Sequence, residues 1–543
     1  MPSNPKVLLL AMDAGDKILL RQWAADGTLP TIRSLLSGGL VGETMSLAGF
    51  YEGSTWPSFY TGVTPAHHGF HSLTQLKPGT YDFQRCYPGD FIKAEPFWDC
   101  LSKAGRRVAV LDVPLSGIST GLKGMQMVEW ASHDGVYGFR TWPATLKWQV
   151  LARFGRHPVK SSCDSYRRTR RGFCGFKDHL LKGVQSKADL TIHYLKKGGW
   201  DFFAQVFSES HCIGHQCWHL HDPRHPGYDP ETARHKGDPV RAVYQAIDSA
   251  LGRIMEHVGQ DTMIFFLATH RMAHAFGGNF LLAEILKQLD LAVQRPDTVT
   301  AQRSPGWIRK SYEGLRRCWR QLPENLKETL EPAVASLHSL MVHRLHGGDR
   351  LLLPSEIADI DLQNSKCFPL QNGTAVSGIR INLAGREPNG LINPGDEAED
   401  FCEELCQNLL SIVDGDTGKP LVKSVRRTVD LYRGDCLDHL PDLLVEWNDD
   451  RILGSSAVGD FKGSRLRLAS EKLGVLAGIN TYVRTGDHRP EGLFAALGPG
   501  IRSGNLARTV SIMDFAPTFT ELLGVKMPEI DGRPITEILA MVR

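Results

Sequence analysis

Val7-Leu8-Leu9-Leu10-Ala11-Met12-Asp13-Ala14-Gly15-Asp16 is the stretch on which the fold turns. Six apolar residues in a row lack the polar alternation of a half-solvated strand. The run is also far short of the ~20 residues that span a bilayer. It therefore reads as a strand buried on both faces, the kind found in parallel sheets covered by helices on either side. The same grammar recurs downstream. Strand-like runs at 108–112, 201–208 and 263–269 alternate with helical periods at 17–24, 178–196 and 240–258. The expected fold is α/β: a doubly wound, mostly parallel sheet with helices on both faces.

The alternation breaks at residue 293. The next stretch is helical and basic, with Trp307, Arg309, Lys310, Arg316, Arg317, Trp319 and Arg320. It is expected to be a helical insertion or cap over 293–365, with residues 1–292 forming the first part of the core and 366–543 the second. In the second part, strands are expected at 379–383, 443–446 and 493–497, and helices at 397–412 and 512–523. The basic cluster Tyr166-Arg167-Arg168-Thr169-Arg170-Arg171 reads as solvated surface.

Composition removes several classes of function. The 543 residues are 42% hydrophobic and 22% charged, ordinary globular values. Lys+Arg 62 against Asp+Glu 60 gives a net charge of +2, unlike a dedicated nucleic-acid binder. No apolar run suggests a membrane span, and the N-terminus has no signal-peptide pattern. The 11 cysteines are odd in number and scattered, which suits reduced thiols and a cytoplasmic setting. Oligomeric state is not legible.

In open α/β sheets, ligands bind beyond the carboxyl ends of the strands. Asp13 follows the first strand there and suits a metal ligand or base, or else the N-cap of the next helix. Ser54 and Thr55 precede a probable helix and suit a nucleophile, an anion pocket or a cap. His211 and His215, four apart, share one helical face, as metal ligands require. Ala268-Thr269-His270 and Gly486-Asp487-His488 place two more histidines beside strand-like runs.

Taken in order, these segments resemble the alkaline phosphatase superfamily, in its type I phosphodiesterase/nucleotide pyrophosphatase-like branch. The resemblance covers 9–16, Thr61-Gly62 with Pro65 and His68-Gly69, and 208–215 with Trp218 and Asp222-Pro223. It continues through 381–390, Pro441-Asp442-Leu443, 488–492, and 514–518 with Leu523-Gly524. It implies a metal site at the carboxyl edge of the sheet, usually with two zinc ions, and a Thr or Ser nucleophile. Asp13, His215, His270 and His488 match the family's ligands. Three positions depart: His211 and Thr269 stand where the family has Asp, and Glu52 stands nine residues before Thr61, at the nucleophile's place. A one-turn shift would give that place to Ser54 or Thr55.

The altered set implies a three-histidine site of His211, His215 and His488 with an open fourth position. A weakened second site would use Asp13, His270 and Glu52, with Thr269 a poor ligand. The catalytic group is then Glu52, as metal ligand or general base, or a hydroxyl of Ser54 or Thr55. The expected cofactor is one or two divalent ions, zinc first, with manganese or iron compatible. The expected function is a metal-dependent phosphodiesterase-like hydrolase or group transferase acting on a phosphoryl, sulfuryl or related ester of a small molecule. The alternative is a noncatalytic binding or regulatory protein on a degenerate phosphatase scaffold.

Overall fold

Residues Val7–Met12 form a strand with no exposed side chain. It pairs in parallel with Phe202–Phe207 on one side and Met263–Ala268 on the other. Its side chains alternate between two cores. Val7, Leu9 and Ala11 meet Phe97 and Phe519, from the helices Phe97–Lys103 and Phe515–Leu522. Leu8, Leu10 and Met12 meet Leu20, Val184 and Ile247, from the helices Lys17–Ala25, Arg170–Leu195 and Pro239–Met255. Each such Leu or Val side chain contributes about 1.5–3 kcal/mol by leaving water. Burial on both faces is why the run carries no polar residue.

The computed structural model describes residues 6–131, 136–159, 163–165, 170–296 and 357–542. Its main sheet has ten strands. Parallel neighbours run in the order Met263–Ala268, Val7–Met12, Phe202–Phe207, Val108–Leu111, Gly124–Val128. Glu491–Leu497 adds antiparallel to Met263–Ala268, and Leu40–Met45 adds antiparallel beyond it. The expected doubly wound, mostly parallel architecture is present.

The second part of the chain differs in detail from its expected α/β pattern. Cys367–Leu370, Val376–Ile381, Leu443–Trp447 and Val422–Arg427 form a separate four-stranded antiparallel sheet. Only with Glu491–Leu497 does the chain rejoin the main sheet. The motif at 381–390 belongs to this smaller sheet. There Arg386 makes a bidentate pair with Asp442 at 2.6 and 2.7 Å, and Arg380 pairs with Glu387 at 2.7 Å. Burial pushes the Asp442 carboxyl up, but Arg386 outweighs it and holds the group below the usual carboxylate range. This motif shapes a loop rather than a metal site.

The expected helical insertion falls mostly on 297–356, outside the described residues. Its flanking strands Val293–Gln294 and Ile360–Asp361 pair antiparallel, so its ends lie side by side, as an insertion requires. Residues 166–169 of the basic cluster, and the side chains of Arg170 and Arg171, also lie outside the described residues.

Met12 pairs level with both Phe207 and Ala268, so three chains leave the sheet at one height. Asp13, Ser208 and Thr269 are the first residues beyond it. A left-handed Ala14, at φ 50°, turns the chain away from the first strand. Gly15 follows, where a Cβ would lie 3.1 Å from Met12 Cβ and 3.2 Å from Ala268 Cβ.

One buried cation ties this edge together. Lys187 Nζ donates to Val206 O at 2.9 Å and to Glu209 Oε2 at 3.2 Å, while His157 Nε2 sits 3.2 Å from Glu209 Oε1. Lys187→Met would leave a buried carboxylate without its cation. The expected cost is about 3–5 kcal/mol, read as a lower denaturation midpoint. A change under ~1 kcal/mol would show that the pair contributes nothing net.

Candidate metal centre and active site

The helix Glu209–His221 starts directly after the strand Phe202–Phe207 and carries His211 and His215 one turn apart. A two-stranded ribbon, Arg271–His274 with Gly486–Arg489, sets His488 opposite Met272. Helix and ribbon meet through glycine. A Cβ on Gly214 would lie 2.5 Å from Met272 Cγ, and one on Gly486 would lie 2.3 Å from the Gly214 carbonyl oxygen. Without these two glycines, His488 could not approach the helix.

The result is a buried cluster of three imidazoles. His215 Nε2 lies 3.2 Å from His211 Nε2 and 3.0 Å from His488 Nε2. Ligand nitrogens around a tetrahedral zinc, at 2.0–2.1 Å from the metal, stand about 3.3 Å apart. Among the described residues, His211, His215 and His488 are the group whose ligand atoms fall within metal-binding reach of one another. The donor set and its spacing fit a divalent ion.

The outer hydrogen bonds favour the same arrangement. His215 Nδ1 donates to Gly486 O at 2.7 Å, which leaves the lone pair on Nε2. His488 Nδ1 lies 2.9 Å from His270 Nε2, and His270 Nδ1 lies 2.9 Å from Thr269 Oγ1. Turning the His488 Nε2 lone pair into the cluster then places every other proton. His488 Nδ1–H donates to His270, and His270 Nδ1–H donates to Thr269.

Among the described residues, Asp13, His270 and Glu52 do not form a three-ligand group of their own. His270 and Asp13 stand outside the three-histidine cluster. Asp13 Oδ1 accepts from Trp56 Nε1 at 2.8 Å. Asp13 is not the helix cap either, because Asp16 accepts from the Ile18 and Leu19 amides. Ser54 Oγ donates to Phe70 O at 2.8 Å. Thr55 Oγ1 donates to Tyr51 O at 2.7 Å and shares a short contact with Ser46. Neither hydroxyl bonds a histidine, and neither caps the helix Thr55–Thr61.

Glu52 sits against a loop of the smaller sheet. Its carboxylate accepts from the Thr374 amide at 2.9 Å and the Ala375 amide at 2.8 Å. Gly373 permits this, since a Cβ there would lie 2.1 Å from Glu52 Oε1. Thr374 Oγ1 is 2.6 Å from Asp487 Oδ2 and 3.3 Å from Glu52 Oε2, so one hydroxyl links two carboxyls. Burial, and then the neighbouring Asp487, push Glu52 up to about 7. Burial raises Asp487 as well. Beside them, Arg484 donates from Nε and Nη2 to Asp164 at 3.1 and 2.9 Å. A cavity of about 490 Å³ opens between Glu52, Thr374, Arg484, Phe280 and Tyr482.

Sequence reasoning did not single out Asp487, Thr374, Arg484 or Asp164. The Gly-Asp-His order at 486–488 was a usable signal for Asp487. The others lie in loops, where no periodicity marks them.

The profile for type I phosphodiesterase / nucleotide pyrophosphatase matches residues 7–351. The chain belongs to this family. The match spans the first strand, the Glu52 turn and the His211/His215 helix, in agreement with the motif reading. Among solved structures, phosphonoacetate hydrolase from Sinorhizobium meliloti 1021 in complex with phosphonoformate is similar at 14% identity. That alignment covers 96% of each chain with a TM-score of 0.50, a likeness of fold. Murine ectonucleotide pyrophosphatase / phosphodiesterase 5, as an inactive form in complex with AMP, aligns over 99% of this chain and 100% of its own, at 10% identity and a TM-score of 0.46. No curated protein matches the sequence. Among the described residues, no helix is long and apolar enough to cross a membrane.

Proposed function

We propose that the protein is a metal-dependent enzyme acting on a phosphoryl, sulfuryl or related ester of a small molecule. His211, His215 and His488 would hold a divalent ion, zinc first among the candidates, and Glu52 would serve as general base. The observation that carries this is the convergence of three imidazole Nε2 atoms; the linked carboxyls add a base, with Asp487 next to His488 in the chain and Glu52 lining a cavity that Arg484 also lines. The family match, with its phosphodiesterase members, supports the phosphoryl class.

A divalent ion held there supplies positive charge to the oxygens of the reacting group. The chain's own residues do the rest. Glu52, raised to about 7, accepts a proton from the attacking hydroxyl compound at neutral pH. Thr374 and Ala375 amides hold its carboxylate in one orientation. Water as acceptor makes the protein a hydrolase, and an alcohol makes it a group transferase. The carbonyl partners of Ser54 and Thr55 argue against a covalent route through either hydroxyl. Free thiols at Cys100, Cys367 and Cys402 fit a cytoplasmic setting.

The direct test is hydrolysis of aryl phosphomonoesters, phosphodiesters and sulfate esters by the chelated and the metal-reloaded protein. Turnover restored by one metal is the expected result. Stoichiometric ester binding with no turnover under any metal would favour the noncatalytic reading, which Glu52's tight backbone anchorage also suits.

His270→Ala separates two roles for that residue. As the partner that orients His488, its loss should weaken metal affinity about 10- to 100-fold with stoichiometry unchanged, measured by chelator competition. Loss of a whole metal equivalent would instead place His270 in the shell of a second ion.

A further inference from the structure

The site contains a positive charge that belongs to the chain itself. Arg484 precedes His488 by four residues. Asp164 grips its Nε and Nη2, and its Nη1 donates to His215 Nε2 at 3.3 Å, on the lone pair that a bound ion would take instead. The side chain is 31% exposed. It lines both the 490 Å³ cavity and an adjoining one of about 190 Å³ that reaches Asp487. So the guanidinium touches the triad at His215 and also lines both cavities.

The groups expected around a second ion have other partners. Asp13 Oδ1 accepts from Trp56, His270 bridges His488 and Thr269, and Glu52 takes two backbone amides. Arg484 is then a cation of the chain itself in direct contact with the triad, 3.3 Å from His215 Nε2. Its charge draws both Glu52 and Asp487 downward, against the burial that raises them.

We propose that Arg484 is the anion-recognising residue of this site, receiving the tetrahedral oxyanion of the substrate above the three histidines in place of a second metal ion. This rests on the metal-dependent reading above. A guanidinium is suited to the task because its planar fork offers paired N–H donors to two oxygens of one phosphoryl-type group. Asp164 is a positioning residue. It is held by Gln216 Nε2 at 2.7 Å, and Gln216 adjoins His215 on the same helix. One helix thereby carries two members of the triad and holds the carboxylate that grips the guanidinium. The remainder of the substrate would occupy the cavity, between Phe280, Tyr482 and Asn372.

The test is calorimetric titration of zinc-loaded wild type and Arg484→Gln with inorganic phosphate, together with zinc content by elemental analysis. The expected result is unchanged zinc in the variant and phosphate affinity weakened about 10- to 100-fold. Equal phosphate affinity in the two proteins would overturn the proposal, as would a zinc-loaded wild type that does not bind phosphate. A wild type that takes up no metal is a separate failure, and it falls on the metal-dependent reading. The comparison of phosphate affinity then still decides the role of Arg484. Should the Gln variant not fold, modification of wild-type Arg484 by phenylglyoxal, read by mass spectrometry, replaces it. Protection by phosphate supports the assignment, and equal modification with and without phosphate overturns it.

Discussion

His215→Ala is expected to empty the metal centre, lowering metal affinity by more than the 10- to 100-fold that loss of an outer partner costs. His215 is the common vertex of the cluster, 3.2 Å from His211 Nε2 and 3.0 Å from His488 Nε2. Its other nitrogen donates to the Gly486 carbonyl, which fixes the ring with Nε2 turned into the cluster. With two imidazoles left, the ion would lose a third of its protein ligands. Elemental analysis after dialysis against a weak chelator reads the effect. Unchanged metal content would place the ion elsewhere and remove the basis of the assignment. Because the ligands bind metal only when neutral, affinity in the wild type should also fall as pH is lowered.

Glu52→Gln is expected to reduce turnover by about 10²- to 10⁴-fold while leaving metal content intact. Gln keeps the shape but cannot take a proton at neutral pH. It also sets an NH₂ against one of two backbone amides that now face carboxylate oxygens, so Glu52→Asp is a useful companion, with the charge kept and the reach shortened. Wild-type activity should rise with pH as the Glu52 carboxyl ionises. That limb lies at about 7, because burial and then Asp487 raise the group against the lowering by the Thr374 and Ala375 amides and Arg484. Glu52→Gln should lack that limb. Full activity in Glu52→Gln, with loss in Ser54→Ala or Thr55→Val, would move the chemistry to that hydroxyl.

Much of the molecule was legible before any coordinates. The six apolar residues at 7–12 announced a strand buried on both faces, since only that environment tolerates such a run. The spacing of His211 and His215 announced a shared helical face, since a helix returns to the same side every 3.6 residues. Both are local properties of the chain. The antiparallel sheet after residue 366 was harder to read. Strand direction depends on which neighbours pair, and nothing within 376–381 or 443–447 encodes that.

The candidate site divides in the same way. The histidines were legible as metal-binding candidates because imidazole chemistry and helical spacing are written in the chain. The grouping of His211, His215 and His488 came from the family resemblance, and the place of His270 could not be read at all. Whether His270 joins a second ion or turns to His488 depends on a ribbon that pairs residues over 200 positions apart. Likewise, Glu52 could be placed by counting back from Thr61, but its ionisation could not. That depends on Asp487 and on the amides of Thr374 and Ala375, brought to it from remote parts of the sequence.

The sequence by itself determined the α/β architecture and directed attention to the carboxyl edge of the sheet and to the residue types set there. Periodicity, burial preference and ligand chemistry are carried residue by residue, so they survive without coordinates. Only the tertiary structure decided how closely the three imidazoles approach one another, that a hydroxyl links Glu52 to Asp487, and that Arg484, held by Asp164, reaches His215. Each of these depends on distances of a few ångströms between segments far apart in the chain. Such distances are set by how the sheet, the helix Glu209–His221 and the glycine contacts at Gly214 and Gly486 pack together.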